Sequence, residues 1–238
     1  MAETDPRLVD NLARALAEAR ALEAPLAARL RLFSDRLLEF GPHYAHRYAA
    51  LVARLADARA GFGAPTIGDT LPAFALPDAR GRLTSLAELA ADGPLVVSFN
   101  RGHWCEFCRI ELSALTEIHG QIVSRGAGAV AILPETAACL RQLQSDDRIP
   151  FPLLADPGCA YALSLGIALA VDDELVDMLR ADGLALAHFQ ASERAMLPIP
   201  ATYVVDKNRT ILARHVDPDF RTRLSTEAIL AAIGTASR

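Results

Sequence analysis

Residues 94–99 are a short apolar run, Pro-Leu-Val-Val-Ser-Phe, and from Ile110 to Ile118 the apolar residues return at helical spacing. The first segment is too short for a helix and reads as a buried strand, Leu95 to Phe99; the second reads as a helix reaching about Arg125. A buried strand that feeds a helix commits the chain to an α/β layer architecture. It also puts the connecting loop at the carboxyl edge of the sheet, where such folds place ligands. The loop here reads Asn100-Arg-Gly-His-Trp-Cys-Glu-Phe-Cys-Arg109. A Cys-x-x-Cys pair at the start of a helix is a redox or metal signature. The unpaired N–H groups and positive dipole end favour a thiolate. A free thiol titrating near ~8.5 can fall to roughly 3.5–7.5 in such a setting. Cys105 comes first and is expected to be the exposed nucleophile, while Cys108, one turn on and more buried, is the resolving thiol.

Metal binding fits the sequence less well. Zinc takes four ligands, and neither a second Cys-x-x-Cys nor a His-x₃-His accompanies the pair; His103 alone keeps that alternative open. Haem attachment needs His after the second cysteine, where Arg109 stands. No metal and no cofactor are expected. Four cysteines in 238 residues are too few for a disulfide scaffold and suit reduced thiols in the cytoplasm; Cys139 and Cys159 read as small buried apolar residues. A net charge of −5 without a basic block argues against nucleic acid and anionic membranes as partners. Nothing at the N-terminus reads as a signal peptide, and no apolar run approaches the ~20 residues that span a bilayer.

The chain divides near Gly61–Gly68, a Gly- and Pro-rich stretch. Residues 1–60 hold almost no strand signal. Leu8, Leu12 and Leu16, then Leu26, Leu30, Phe33 and Leu37, then Tyr44, Tyr48, Leu51 and Leu55 mark helices separated by Pro25 and by Gly41-Pro42. Their apolar stripes must be buried, either on the rest of the chain or in a homodimer. Residues 66–238 alternate strand and helix. Strands are expected at Phe74–Leu76, Ala129–Leu133, Phe151–Leu154 (an edge, given its prolines) and Pro200–Asp206, the last in a hairpin with Ile211–Val216. Helices are expected from Ser85, from Pro134-Glu135 to Leu143, around Cys159–Leu163, over Asp173–Arg180 and from Ser225. Residues 187–196 read as an inserted loop near the site. The fold class is a mixed sheet flanked by helices, behind an all-helical N-terminal extension.

The run Arg101-Gly-His-Trp-Cys-Glu-Phe-Cys-Arg-Ile-Glu-Leu112 resembles the RGxWC-x-x-C motif of the peroxiredoxin-like branch of the AhpC/TSA family, within the thioredoxin-like fold. The resemblance extends over about 66–235, through Gly68-Asp69, Pro72-x-Phe74-x-Leu76-Pro-Asp78 and Pro198-x-Pro200-Ala-Thr-Tyr-Val-Val-Asp206, and the helical arm resembles that branch's extension. It implies a thiol-dependent reaction on a hydroperoxide or disulfide, with an external dithiol such as a thioredoxin or glutathione system as reductant. It also implies a substrate site formed by Arg101, Trp104 and Pro200 around Cys105 and Cys108. Departures accompany it. The Pro-x₃-Thr-x₂-Cys of typical peroxiredoxins fits neither cysteine: registered on Cys105, Ser98 and Gly102 occupy the Pro and Thr places. Pro200 matches the thioredoxin-type proline, expected to be cis. Arg101 reads either as the cation that activates Cys105 or as a solvated loop residue. Trp104 is expected to pack half-buried beside the nucleophile, His103 to sit exposed or to donate a proton, and Glu106, where related sequences usually carry Pro, to face solvent. Three readings remain: a thiol peroxidase, a thiol–disulfide oxidoreductase, and a non-catalytic interaction module.

Overall fold

The computed structural model describes residues 6–181, 183–192 and 195–236. The arm is three helices, α1 (Pro6–Ala21), α2 (Leu26–Phe40) and α3 (Pro42–Asp57). Pro42 sits in the first turn of α3, where its missing N–H leaves no bond unmade. The next elements are β1 (Ala75–Pro77), β2 (Leu83–Ser85), α4 (Leu86–Leu89), β3 (Leu95–Phe99), α5 (Glu106–Ser124), β4 (Gly128–Leu133) and α6 (Ala137–Asp146). They are followed by β5 (Leu153–Ala155), a 3-10 turn at Pro157–Cys159, α7 (Ala160–Ser164), β6 (Ala168–Ala170), α8 (Asp173–Ala181) and α9 (Leu186–Gln190). Last come β7 (Met196–Pro198), β8 (Ala201–Val205), β9 (Ile211–Val216) and α10 (Thr226–Ala236).

The central sheet has the order β5-β4-β3-β8-β9. β3, β4 and β5 run parallel, while β8 is antiparallel to both β3 and β9. All five residues of β3 are buried, as a strand with both faces covered requires. Its alternate side chains serve two cores. Leu95, Val97 and Phe99 join Tyr203 and Ile167 on one face, while Val96 joins Leu112, Leu115 and Ile233 on the other. Ser98 and Thr202, which face each other across the β3–β8 pair, are the buried polar positions of this layer.

The arm buries its stripes on the rest of the chain. Leu16, Leu30, Phe33 and Tyr48 share one core with Phe107, Cys108, Ile110 and Phe220. Phe33 meets Phe107 edge to face at 5.0 Å. Arg29 forks onto Glu117 of α5 at 2.6 and 2.8 Å. Arg20 of α1 and Arg109 of α5 both bond Asp147, at 2.8 and 2.6 Å, and Arg54 of α3 reaches Asp172 at 2.7 Å.

Several expectations shift. The helix expected from Pro134 starts at Ala137, because the Thr136 hydroxyl accepts from the Cys139 N–H and caps it there. β2 pairs with β1, and β6 pairs with β7, outside the central sheet. Both additions are three-residue strands too short to show a period. Residues 187–196 are not simply a loop. They hold the end of α9 and the first residue of β7, apart from positions 193 and 194, which lie outside the described residues. Pro200 is trans: no cis peptide bond occurs among the described residues. The Ile199 N–H extends the β7–β6 ladder by donating to the Ile167 carbonyl at 2.5 Å, and Ala201 enters β8 at once, so the backbone runs through Pro200 without reversing.

Candidate active site

β3 ends at Phe99, and residues 100–105 carry the chain to α5, whose N-cap position is Cys105. At that position Cys105 offers a sulfur in place of a capping oxygen and makes no side-chain cap hydrogen bond. Cys108 lies one turn along and donates to Cys105 Sγ at 2.9 Å, and both thiols are free. Cys108 Sγ in turn accepts from the Arg101 backbone N–H at 3.4 Å. Neither sulfur is presented to solvent. Cys108 is 0% exposed, as expected, whereas Cys105 is only 1% exposed and corrects the expectation of a surface nucleophile. The cover is the arm together with Trp104, which share its core.

Arg101 is not a solvated loop residue. It is buried, with its guanidinium 3.9 Å from the Phe220 ring centroid, 5.0 Å from Trp104 and 5.4 Å from Tyr48. Three rings from three separate stretches of the chain hold one cation beside the thiols. Burial pushes the Cys105 thiol up, but the Cys108 hydrogen bond and the charges of Arg101 and Arg223 outweigh it and bring Cys105 down to about 6. Cys108 moves the other way, raised by its burial and by the thiolate it bonds. The two shifts run in opposite directions, and both favour a negative charge on Cys105 over one on Cys108.

Beneath the sulfurs lies a buried polar cluster that the sequence did not reveal. Arg223 Nε bonds Glu111 Oε2 at 2.6 Å, and its Nη2 lies 3.7 Å from Cys108 Sγ. Thr202 donates to Glu111 Oε1 at 2.9 Å, Ser98 reaches the same oxygen at 3.4 Å, and Asn100 donates to Ser98 Oγ at 2.8 Å. Ser98, at the place of the proline of typical peroxiredoxins, thus belongs to the support of Glu111. Alternation along β3 and β8 put two hydroxyls on the α5 face, and that alternation was the available signal. Arg223 carried none.

Glu106 and His103 are both half-buried, not exposed. Burial, and then the neighbouring Cys105 charge, raise the Glu106 carboxyl to about 7. His103 is lowered by burial and by Arg109, and its ring lies edge-on to Phe189 at 5.5 Å. Its backbone N–H donates to Glu135 Oε1 at 3.0 Å. Glu135 is 1% exposed, and burial raises it to about 8. Gly102, at φ +150°, is required where it stands: a Cβ there would overlap the Trp104 indole and come within 2.7 Å of Glu135 Oε1. Trp104 is packed more fully than expected, as a wall of the Arg101 cage. Pro200 lies one step beyond the Phe99–Ala201 pair, opposite Asn100 and beside the loop. Cys139 and Cys159 are buried, and Cys159 is raised by its burial.

A cavity of about 410 Å³ adjoins the site. Trp104 and Glu106, the two neighbours of Cys105, line it together with residues of α1 and α9. Among the described residues no three His, Cys, Asp or Glu side chains converge to hold a metal ion, and no helix is long and apolar enough to cross a membrane.

No curated protein compared with the chain matches it. Solved structures share its fold. A peroxidoxin, BcpB, from Mycobacterium tuberculosis is 21% identical, with a TM-score of 0.56 over 71% of this chain and 96% of its own. A cysteine-to-serine mutant of peroxiredoxin 6 from Arenicola marina is 18% identical, with a TM-score of 0.56 over 71% and 72%. AhpC from Mycobacterium tuberculosis is 16% identical, with a TM-score of 0.54 over 72% and 93%. The AhpC/TSA family model matches residues 67–214, more than half the chain. With a thioredoxin-like sheet behind it and a dithiol at the start of its longest helix, this thiol-dependent redox protein belongs to the AhpC/TSA family.

Proposed function

We propose that the protein is a thiol peroxidase that reduces hydroperoxides through Cys105 and Cys108. One observation carries this reading over its rival: Cys105, held as a thiolate beside the caged Arg101, is 1% exposed, so a small oxidant suits it better than a protein disulfide. The Cys105 thiolate attacks the terminal oxygen of ROOH, an S–O bond forms, the O–O bond breaks, and the electron pair leaves as alkoxide. Glu106, protonated near neutrality and beside Cys105 in the chain, gives the alkoxide its proton. The Cys108 thiol then attacks the sulfenic sulfur. An S–S bond forms, the S–O bond breaks, and hydroxide leaves with the Cys108 proton as water. An external dithiol, of the thioredoxin or glutathione type, returns two electrons. Such a cycle belongs in the reducing cytoplasm. We read residues 1–60 as the extension and 66–238 as the catalytic domain.

The second reading is a thiol–disulfide oxidoreductase, favoured by the 2.9 Å approach of the two sulfurs at a helix start. Stopped-flow oxidation of the reduced protein separates them. Peroxidase chemistry gives an intramolecular disulfide within seconds of adding peroxide, lost in Cys105→Ser and stalled at the sulfenic acid in Cys108→Ser. Slow oxidation by peroxide beside rapid exchange with a mixed disulfide would establish the second reading. Loss of the first step in Cys108→Ser alone would reverse the two roles.

A further inference from the structure

Glu135 takes no part in the peroxidase cycle, yet its surroundings are not those of a surface acid. It lies between β4 and α6 and is 1% exposed. An ionised carboxylate is expensive to bury, and a buried acid keeps its proton instead. Burial raises Glu135 to about 8 against the pull of the His103 N–H, and the Cys105 charge adds to the rise. At neutral pH it is mainly an uncharged carboxyl, an acceptor that brings little charge to the thiolate.

That carboxyl meets the loop that carries the dithiol. Its Oε1 accepts the His103 N–H at 3.0 Å. Other ties of the loop backbone lie at its ends. The Asn100 N–H bonds the Ile132 carbonyl at 2.9 Å, as the last rung of the sheet. The Arg101 N–H goes to Cys108 Sγ at 3.4 Å and the Cys105 N–H to the Gly102 carbonyl at 3.1 Å, both within the loop and its helix. Glu135 ties the middle of the loop to a separate element. Gly102 makes the approach possible: a Cβ there would lie 2.7 Å from Glu135 Oε1 and 2.3 Å from Trp104 Nε1, so carboxyl, loop backbone and indole converge on one point. Next in the chain, the Thr136 N–H donates to the Phe189 carbonyl at 2.9 Å and draws α9 to the same place.

The charge balance of the site rides on this loop. Arg101 and Trp104 stand on either side of His103 in the chain, and the Trp104 ring centroid is 5.0 Å from the Arg101 guanidinium. We propose that Glu135 is a positioning residue of the redox site: by accepting the His103 N–H it pins the middle of the 101–105 loop and keeps Arg101 and Trp104 in place beside Cys105. The requirement is for an acceptor, not for a charge. The proposal rests on Cys105 being the reactive thiol, and it holds whether the oxidant is a peroxide or a disulfide.

The test is the pH midpoint for alkylation of Cys105 by iodoacetamide in the Cys108→Ser protein, read at Cys105 by mass spectrometry and compared across variants of Glu135. Glu135→Leu keeps the bulk and removes the acceptor, and its midpoint should rise by about one unit or more as Arg101 loses its place. Glu135→Gln keeps an acceptor oxygen and should stay within about 0.3 unit of its parent. Should Glu135→Leu fail to fold, Glu135→Asp, which withdraws the carboxyl by one methylene, takes its place with a rise expected. A purely structural role would leave the midpoint alone in every variant that folds. An unchanged midpoint in the folded Leu or Asp variant therefore overturns the assignment, as does a comparable shift in Glu135→Gln. The His103 amide should exchange with solvent about tenfold faster in the Leu or Asp variant than in the wild type or Glu135→Gln. Absence of any alkylation at Cys105 overturns the nucleophile reading instead, and the amide exchange still judges the pin.

Discussion

Replacing Arg101 with Met removes the cation beside Cys105 and leaves an unbranched apolar chain among Phe220, Trp104 and Tyr48. The thiol of Cys105 moves from an ordinary 9 to about 6, a difference of about 4 kcal/mol at about 1.4 kcal/mol per unit. A nearby opposite charge is worth about 1–3 of such units, so losing Arg101 is expected to raise the Cys105 midpoint by about 1–3 units. A two-unit rise from about 6 would take the thiolate fraction at pH 7 from about 90% to about 10%. The rate at a single pH understates this, because a thiolate of higher pKa is intrinsically more nucleophilic, with a Brønsted slope of about 0.4–0.5. The proper readout is the midpoint of the pH profile for alkylation by iodoacetamide, in a Cys108→Ser background that leaves one reactive thiol, with and without Arg101→Met. Arg101→Lys, which keeps the charge and loses the planar stacking, should hold the midpoint within about one unit of its parent. A shift below half a unit in Arg101→Met, with unchanged circular dichroism, would refute the cation's role and leave Arg223 as the source.

Glu135 is raised to about 8 by burial, so the fold holds its proton where an unfolded chain has released it. Its contribution is intact below the unfolded value near 4.5 and is lost as pH rises towards 8. Glu135→Gln should therefore gain on the wild type by up to about 3 kcal/mol at pH 7 and little at pH 4, read from urea midpoints. Arg223→Met strands Glu111 without its cation and should cost about 3–5 kcal/mol in the same assay; a loss under 1 kcal/mol would mean that the pair is solvated. Phe33→Ala opens a hole against Phe107 and should cost about 3–5 kcal/mol, with one transition if the arm and domain unfold together and two if they do not. Gly102→Ala should displace the indole and blue- or red-shift Trp104 emission; an unchanged spectrum would contradict the overlap expected there.

The strand–dithiol–helix unit and the arm helices were legible because each carries a sustained period: apolar residues over Leu95–Phe99, and Leu26, Leu30, Phe33 and Leu37 at helical spacing. β2 and β6 have three residues each, too few to register an alternation. The burial of Cys105, Glu106 and His103 was illegible for a different reason. What covers them comes from Leu16, Tyr48 and Phe189, remote in sequence, and local pattern says nothing of who packs on whom. Arg223 is the extreme case. In sequence it is an arginine in the turn-rich stretch before the last helix, and only the docking of that stretch brings it within 3.7 Å of Cys108 Sγ.

The cage around Arg101 draws on distant parts of the chain. Its rings come from residues 48, 104 and 220, so it closes only when the first quarter of the chain and the segment before the last helix are both in place. Without them only Trp104, from the same loop, is left beside the cation. The acidity of Cys105 is therefore a property of the assembled fold and not of the Cys-x-x-Cys loop alone.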